Sequence, residues 1–498
     1  MEHFRLTTTA APTYVRTRRL FLRGLGLVYL AAFLSLRWQI AGLVGENGLL
    51  PAASYLARAS AALGASAGWR LPTLFWLDAS DATLHAACVA GSLAALLLVA
   101  GVAPLAMLVL LWLLYLSLVG VGQLFLSYQW DSLLLETGFL AIFWAPLGWR
   151  LAAPSAARPS PIVLWLLRWL LFRLMFFSGV VKLASGDPTW WNLAALEVHY
   201  QTQPLPAWTS WYAHQLPALL QKLSCAVMFV VELVLPFLIV LGRRARVIAC
   251  TGLVGLQLAI AATGNYGFFN LLAIVLCIPL LDDAQLARLR SRRAFEPGHA
   301  LPIERLWKRA LEVAVACLLL ALSVPLAIGQ LVELPARSTP PVAALLHTFG
   351  PFHLTGTYGL FAVMTTTRPE VTLEGSRDGT EWKPYLFRWK PGPLDRAPAF
   401  VGFGMPRLDW QMWFDALHIQ RMLESGRSGA NVITPVLLDK LRAGTPEVLG
   451  LLAGDPFDGV PPRELRWRLD DYRFTDAAER AASGDWWYRT LIHQEDAR

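Results

Sequence analysis

The chain has 498 residues, 55% of them apolar and only 16% charged, with 21 Trp and 24 Phe, and its mean hydropathy is +0.46. A soluble domain carries about 25% charged residues, so a soluble monomer, a disordered chain and a disulfide-stapled secreted scaffold are excluded and an integral membrane protein remains. The net charge of +8 belongs to residues 1–331, which hold 24 Lys/Arg and 14 Asp/Glu against 19 and 21 in residues 332–498; it reports bilayer orientation and not nucleic-acid binding.

Runs of about 20 apolar residues mark candidate spans. In chain order they are 21–43, 83–103, 105–127, 132–152, 161–183, 219–241, 246–263, 266–281 and 308–331, nine in all. Pro104 reads as the turn of a tight helical hairpin, and the short eighth run, broken near Gly264, Gly267 and Asn270, reads as either a crossing or a re-entrant segment. Basic residues cluster before or in the first span (Arg5, Arg16, Arg18, Arg19, Arg23) and between the fourth and fifth (Arg150, Arg158). More lie between the sixth and seventh (Arg243, Arg244, Arg246) and between the eighth and ninth (Arg288, Arg290, Arg292, Arg293, Arg305, Lys308, Arg309). With nine spans and a cytoplasmic N-terminus, every one of these segments is cytoplasmic, and the tail lies outside. Outside means periplasm in a bacterium and lumen in a eukaryote; the Arg- and Ala-rich composition suits a GC-rich bacterial genome, so an inner-membrane protein with a periplasmic tail is the expectation. The first span reads as a retained anchor, not a cleaved signal peptide.

These features divide the chain into a transmembrane helical domain (1–331), a Pro-rich linker (332–341) and a soluble non-cytoplasmic domain (342–498) of α+β or sandwich-like type. In the tail, Val371–Glu374, the turn Ser376-Arg377-Asp378-Gly379 and Trp382–Trp389 predict a β-hairpin. Leu465, Trp467 and Leu469 alternate with charges, and the shift before Tyr472 and Phe474 predicts a strand with a bulge at Asp470-Asp471. Segments 408–424 and 434–453 read as helices. The cysteines Cys88, Cys225, Cys250, Cys277 and Cys317 all fall in apolar runs, without spacing for disulfides or a metal site, so no metal and no cofactor is expected.

Ionisable groups in a bilayer are costly and are paired or functional. Arg168, Arg173 and Lys182 lie in the fifth span, and Asp131, Glu136 and Glu232 in neighbouring ones. Matching depths from the outer ends predicts Lys182 beside Asp131 or Glu136, and Glu232 level with Arg173 or Arg168. The set is either a scaffold of ion pairs or the lining of a polar cavity. At the outer face, Tyr128, Trp130, Trp190, Trp191, Glu197, His199, Tyr200, Gln203, Asn265, Tyr266 and Asn270 are candidates to line such a cavity. An acid, an imidazole and a phenol near a lysine could transfer protons, with Lys182 and His199 as the catalytic candidates; an amphipathic interfacial helix has the same composition. No hydrolase, zincin or nucleotide motif is present.

Several runs resemble the lipase maturation factor family: FLSYQWDSLLLETGFLAIFWAP, FFSGVVKLASGDPTWWNLAALEVHYQTQPLP, TGNYGFFNLLAIVLCIPLLDD, FGPFHLTGTYGLFAVMTTTRP, RLDWQMWFDAL and PPRELRWRLDDYRF. The resemblance implies a polytopic, chaperone-like maturation factor rather than a catalyst. Its partners would be the bilayer and a secreted client such as a lipase, contacted in part through Trp410, Trp413 and Phe414. SGVVKL followed by a Trp-rich stretch is more distantly similar to the membrane half of vitamin K-dependent γ-carboxylases. That likeness implies an alternative in which Lys182 is a base acting on a quinone-like or lipid ligand. Oligomeric state is left open.

Overall fold

The computed structural model describes residues 12–151, 158–289, 306–332, 340–426 and 433–497. Arg5, Arg290, Arg292, Arg293, Arg305 and most of the expected linker lie outside the described residues.

The membrane part is helical: α1 (Val15–Arg37), α2 (Asp81–Ala100), α3 (Pro104–Val121), α4 (Gln129–Trp144), α5 (Pro161–Ala184), α6 (Ala218–Leu233), α7 (Arg243–Thr263), α8 (Phe269–Cys277) and α9 (Leu306–Val332). Local chemistry sets their ends. Ser80 caps α2, whose C-terminus stops at left-handed Gly101 (φ 83°), and Pro104 opens α3, completing the expected hairpin. Ser160 and Pro161 start α5 in the same way.

Among the described residues, seven helices are long and apolar enough to cross a membrane: α1, α2, α3, α5, α7, α9 and Ala218–Val240, where a 3₁₀ turn prolongs α6. The fourth and eighth expected spans are shorter. Helix α4 has 16 residues, about 24 Å at 1.5 Å per residue, and the apolar helix at the eighth position runs only from Phe269 to Leu280.

Contacts between helix ends show which loops are neighbours. The α2–α3 turn pairs with the segment after α4, Ala103 N–H donating to Trp149 C=O (2.7 Å) and Leu151 N–H to Gly101 C=O (2.8 Å). After α8, the Asp283 carboxylate accepts from the N–H groups of Val15, Arg16 and Thr17 at 2.8–3.0 Å and so caps the start of α1. Its neighbour Asp282 pairs with Arg243 at the start of α7 (2.6 Å).

The tail is built on an antiparallel sheet of order β2-β1-β3-β4: β1 (Pro369–Ser376), β2 (Trp382–Tyr385), β3 (Glu464–Phe474) and β4 (Trp487–Ala497). The expected hairpin forms, with Ser376 opposite Trp382. Strand β2 ends at Tyr385 and not Trp389, because the N–H groups of Trp389 and Lys390 donate to Asp409 (2.8 and 3.0 Å) and leave the ladder. The expected bulge is corrected in position. Strand β3 pairs with β1 without interruption, and the register slips opposite Leu469/Asp470, where β4 carries an extra residue, Ile492. The sequence phase shift in β3 has another cause. Leu465 and Leu469 join the main core, while Tyr472 and Phe474, on the opposite face, pack with Trp487 and Trp211. Helices α10 (Arg407–Ser425) and α11 (Thr434–Arg442) occupy the expected positions. The second helical segment is broken by Gly444 (φ 62°) and resumes as the short turn Pro446–Leu449.

Membrane helices and tail share one apolar core, continuous from Leu134 and Leu170 through Met405 and Trp410 to Leu469. The tail is seated on the bundle. Ser35 of α1 and Gln39, just beyond its end, bond to the Met405 backbone, and Asn265 donates to Ala399 C=O (2.8 Å) and accepts from Val401 N–H (2.8 Å).

Candidate functional site

Three buried ion pairs organise the tail-facing half of the bundle. Lys182 Nζ lies 2.8 and 3.0 Å from the two carboxylate oxygens of Glu232 and donates to Ser178 C=O (2.9 Å). Both side chains are about 7% exposed. A Cβ on Gly179 would stand 2.7 Å from Leu233 Cδ2, so this glycine allows α5 and α6 to approach closely enough for the pair to form. Contrary to the expected depths, Lys182 meets neither Asp131 nor Glu136. The helix ends are not level: Glu232 lies 14 residues into α6 (218 to 232), about 21 Å along its axis, while Lys182 is two residues from the end of α5. Helix α6 starts well beyond the level at which α5 stops.

The second pair joins Arg173 to Glu136, and its surroundings explain it. Tail residues Thr355–Gly359 enter the bundle as irregular backbone. Glu136 accepts from Tyr358 Oη (2.6 Å) and Gly356 N–H (3.1 Å). Arg173 donates to Thr355 Oγ1 (3.0 Å) and Gly356 C=O (3.1 Å). Gln129 bonds both the N–H and the C=O of Gly359. Non-helical backbone survives at membrane depth only where protein satisfies its polar groups, and these three side chains do so. A Cβ on Gly359 would lie 2.5 Å from Val181, so the close approach requires glycine.

The third pair ties tail to bundle. Arg407, the first residue of α10, places both terminal nitrogens 2.7 Å from Asp131, which also accepts from Tyr115 Oη (2.6 Å). Among the described residues Arg168 has no acid partner. It donates to Pro279 C=O (3.0 Å) and Tyr14 Oη (3.1 Å), which corrects its expected alignment with Glu232.

A cavity of 240 Å³ opens beside the Lys182–Glu232 pair, between α5, α6 and α7, with Leu360 and Phe361 from the tail along one wall. Of the outer-face candidates, Trp190, His199, Tyr200 and Tyr266 line it. The Lys182 ammonium sits 5.4 Å from the Trp190 ring centroid. Tyr266 donates to Gln203 Oε1 (2.8 Å), so the 3.1 Å contact with His199 is a donation from Nε2. Burial and the nearby Lys182 charge push His199 down to about 4, so the imidazole is neutral.

The other candidates do not converge there. Tyr128 stacks on Trp130 (4.6 Å), which meets Trp410 edge-on (4.8 Å) beneath the tail. Gln203 is buried against Thr263 C=O, Asn265 latches the tail, and Asn270 holds Gln257. Trp191 is exposed, and Glu197 forms a partly exposed contact with Lys222 (3.9 Å). Trp410 and Trp413 are only 3% and 8% exposed and belong to the core, while Phe414 is partly buried and stacks on Tyr128. Sequence reading missed Arg407 and Tyr358. Their signals were an arginine opening a helix rich in buried aromatic residues and a tyrosine between two glycines, Gly356 and Gly359.

These features define a polytopic helical membrane protein that carries a docked sheet domain, with the Arg407–Asp131 and Arg173–Glu136 pairs joining the two and Lys182–Glu232 joining helices within the bundle. The transmembrane half matches the family model described as lipase maturation factor transmembrane domain over residues 16–288, and the tail matches the lipase maturation factor C-terminal domain over residues 354–496. The chain is 35% identical to lipase maturation factor 2 of Gallus gallus, over 96% of this chain and 80% of that protein. It is 34% identical to lipase maturation factor 1 of Mus musculus, over 96% and 86%, and 35% identical to lipase maturation factor 2 of Homo sapiens, over 96% and 82%. No solved structure matches. The chain belongs to the lipase maturation factor family.

Proposed function

We propose that this protein is a membrane-embedded maturation factor that assists a secreted lipase to its active state from the non-cytoplasmic side. The carrying observation is that both family domains are present, in order, and docked into one unit. The γ-carboxylase-like alternative is not favoured, because Lys182 is committed to Glu232 and Ser178 and is not a free base.

The topology we infer has nine crossings, with an inside N-terminus, a transmembrane domain to about residue 331 and the tail outside. The neighbouring loops support it. Proximity of the α2–α3 turn to the segment after α4 is what an even number of crossings between them would give, which supports a traversing α4. Proximity of Asp282 to Arg243 argues the same for the eighth apolar helix. Arg150, Arg158 and Arg243–Arg246 then fall on the cytoplasmic side. A bacterial inner membrane and a periplasmic tail remain part of this proposal.

The test is co-expression with a lipase in cells lacking their own maturation factor, reading secreted lipase activity per unit of lipase antigen. The full chain should raise that ratio, and a chain truncated after residue 353 should not. Full activity with the truncated chain would remove the tail from the mechanism, and no rise with the full chain would overturn the proposed function.

A further inference from the structure

We propose that the cavity beside Lys182 and Glu232 binds an uncharged single-chain amphiphile whose head group carries a hydroxyl and a carbonyl. The inference does not depend on which client the protein serves.

The walls are largely aliphatic and aromatic, including Leu174, Met228, Ile260 and Phe269. A volume of 240 Å³ far exceeds the about 10–15 Å³ that one water needs, yet lies below the roughly 300–1,000 Å³ of common ligand pockets. It suits one hydrocarbon chain and not two.

The polar groups at the walls share a bias. Ser178 and Ser224 donate to the Leu174 and Leu220 carbonyls of their own helices (2.7 and 2.8 Å), and Thr263 donates to Ala259 C=O (3.0 Å). Lys182 spends its hydrogens on Ser178 and Glu232. A carboxylate offers about four lone-pair sites, and among the described residues Glu232 accepts only from Lys182. What the walls hold in excess is acceptors, so the ligand must bring a donor, and a hydroxyl is the smallest one. Tyr200 and Gln257 are the exceptions: among the described residues the Tyr200 hydroxyl has no hydrogen-bond partner and Gln257 Nε2 meets only Met175 Sδ (3.8 Å), so both can donate to a ligand carbonyl.

Charge narrows the class further. The Lys182–Glu232 pair has no net charge and His199 is neutral, so a fatty-acid carboxylate would meet Glu232 without a free cation, and an alkylammonium would meet Lys182 without a free anion. A neutral head group meets neither penalty. The tail contributes Leu360 and Phe361, the latter in a left-handed conformation (φ 55°), so the site is complete only with the tail docked.

The purified full chain in nanodiscs should bind 1-monooleoylglycerol saturably, and oleate and oleylamine at least tenfold more weakly. Tyr200→Phe should weaken monooleoylglycerol binding several-fold, and Ala259→Trp, which fills the cavity from α7, should abolish it while the thermal transition is retained. Glu232→Gln should reverse the preference towards oleate. Should that variant fail to fold, the Tyr200 and Ala259 variants carry the test. Equal binding of oleate by the wild type, undiminished binding by folded Ala259→Trp, absence of saturable binding, or co-purification of a two-chain phospholipid at this site would overturn the proposal.

Discussion

A buried lysine facing a buried glutamate is stable only as a complete pair. Removing one partner leaves an uncompensated charge in a low-dielectric site and costs about 3–5 kcal/mol, whereas replacing both with apolar groups is often neutral. Lys182→Met should therefore lower the thermal transition of the detergent-solubilised protein sharply, and Lys182→Met with Glu232→Leu should restore most of it. Client maturation should survive in the double variant, as a scaffold role requires; loss of maturation with normal folding would make the pair part of a working site. His199, in the helix Ala195–Thr202 between two spans, gives a pH signature. Its folded value of about 4 lies below the ordinary 6.5 or so of an unfolded histidine. Between those values the unfolded state binds more protons, so stability should rise with pH from about 4 to 6.5 and then level. Burial lowers His214 and His353 as well, so the readout is the difference curve against His199→Asn, which should be flatter across that window.

Among elements, the segment Thr355–Gly359 is the least ordinary, because it carries unpaired backbone into a helical bundle and depends on Gln129, Glu136 and Arg173 to satisfy it. Gly359→Val would drive side-chain atoms into Val181, an overpacking that costs about 1–3 kcal/mol. The expected outcome is a lower transition temperature and faster proteolysis of the tail, with the helices still inserted; unchanged proteolysis would show that the segment is not what seats the tail. The hairpin behaves as its sequence demands. Asp378 accepts from the N–H groups of Thr380 and Glu381 (2.8 and 2.9 Å), and Gly379 takes the φ of 74° that other residues resist. Strand β4 carried a weaker signal, since Tyr488, Leu491 and Ile492 are all half exposed and the edge strand lacks a clean alternation.

For the whole molecule, the Arg407–Asp131 contact is the strongest single tie between tail and bundle, fully buried and bidentate. Arg407→Ala should weaken tail docking and reduce client maturation at least as much as it lowers stability. The measurement is the ratio of secreted lipase activity to lipase antigen alongside limited proteolysis. The inferred topology makes a separate demand: a reporter fused after residue 498 should be active outside the cytoplasm, and one fused near residue 292 inside it. Both reporters on one side would refute the crossing count.

The sequence by itself determined the membrane class, the helix positions, the hairpin, the two tail helices and the family, because hydropathy, turn chemistry and motif order are local properties. It also marked Lys182, Glu232, Arg173, Glu136 and Asp131 as needing partners, since a charge in hydrocarbon is costly wherever it pairs. The identity of those partners was decided only by tertiary structure. Helix ends are not level, so depth counted along one helix does not transfer to the next, and Lys182 reached Glu232 instead of Asp131. Arg407 and Tyr358 come from the tail, about 276 and 222 residues from the acids they hold, a separation across which no local pattern carries information. The same holds for Trp410 and Trp413. An amphipathic helix shows which face is apolar, but whether that face meets a client or the protein's own bundle depends on what the fold places against it.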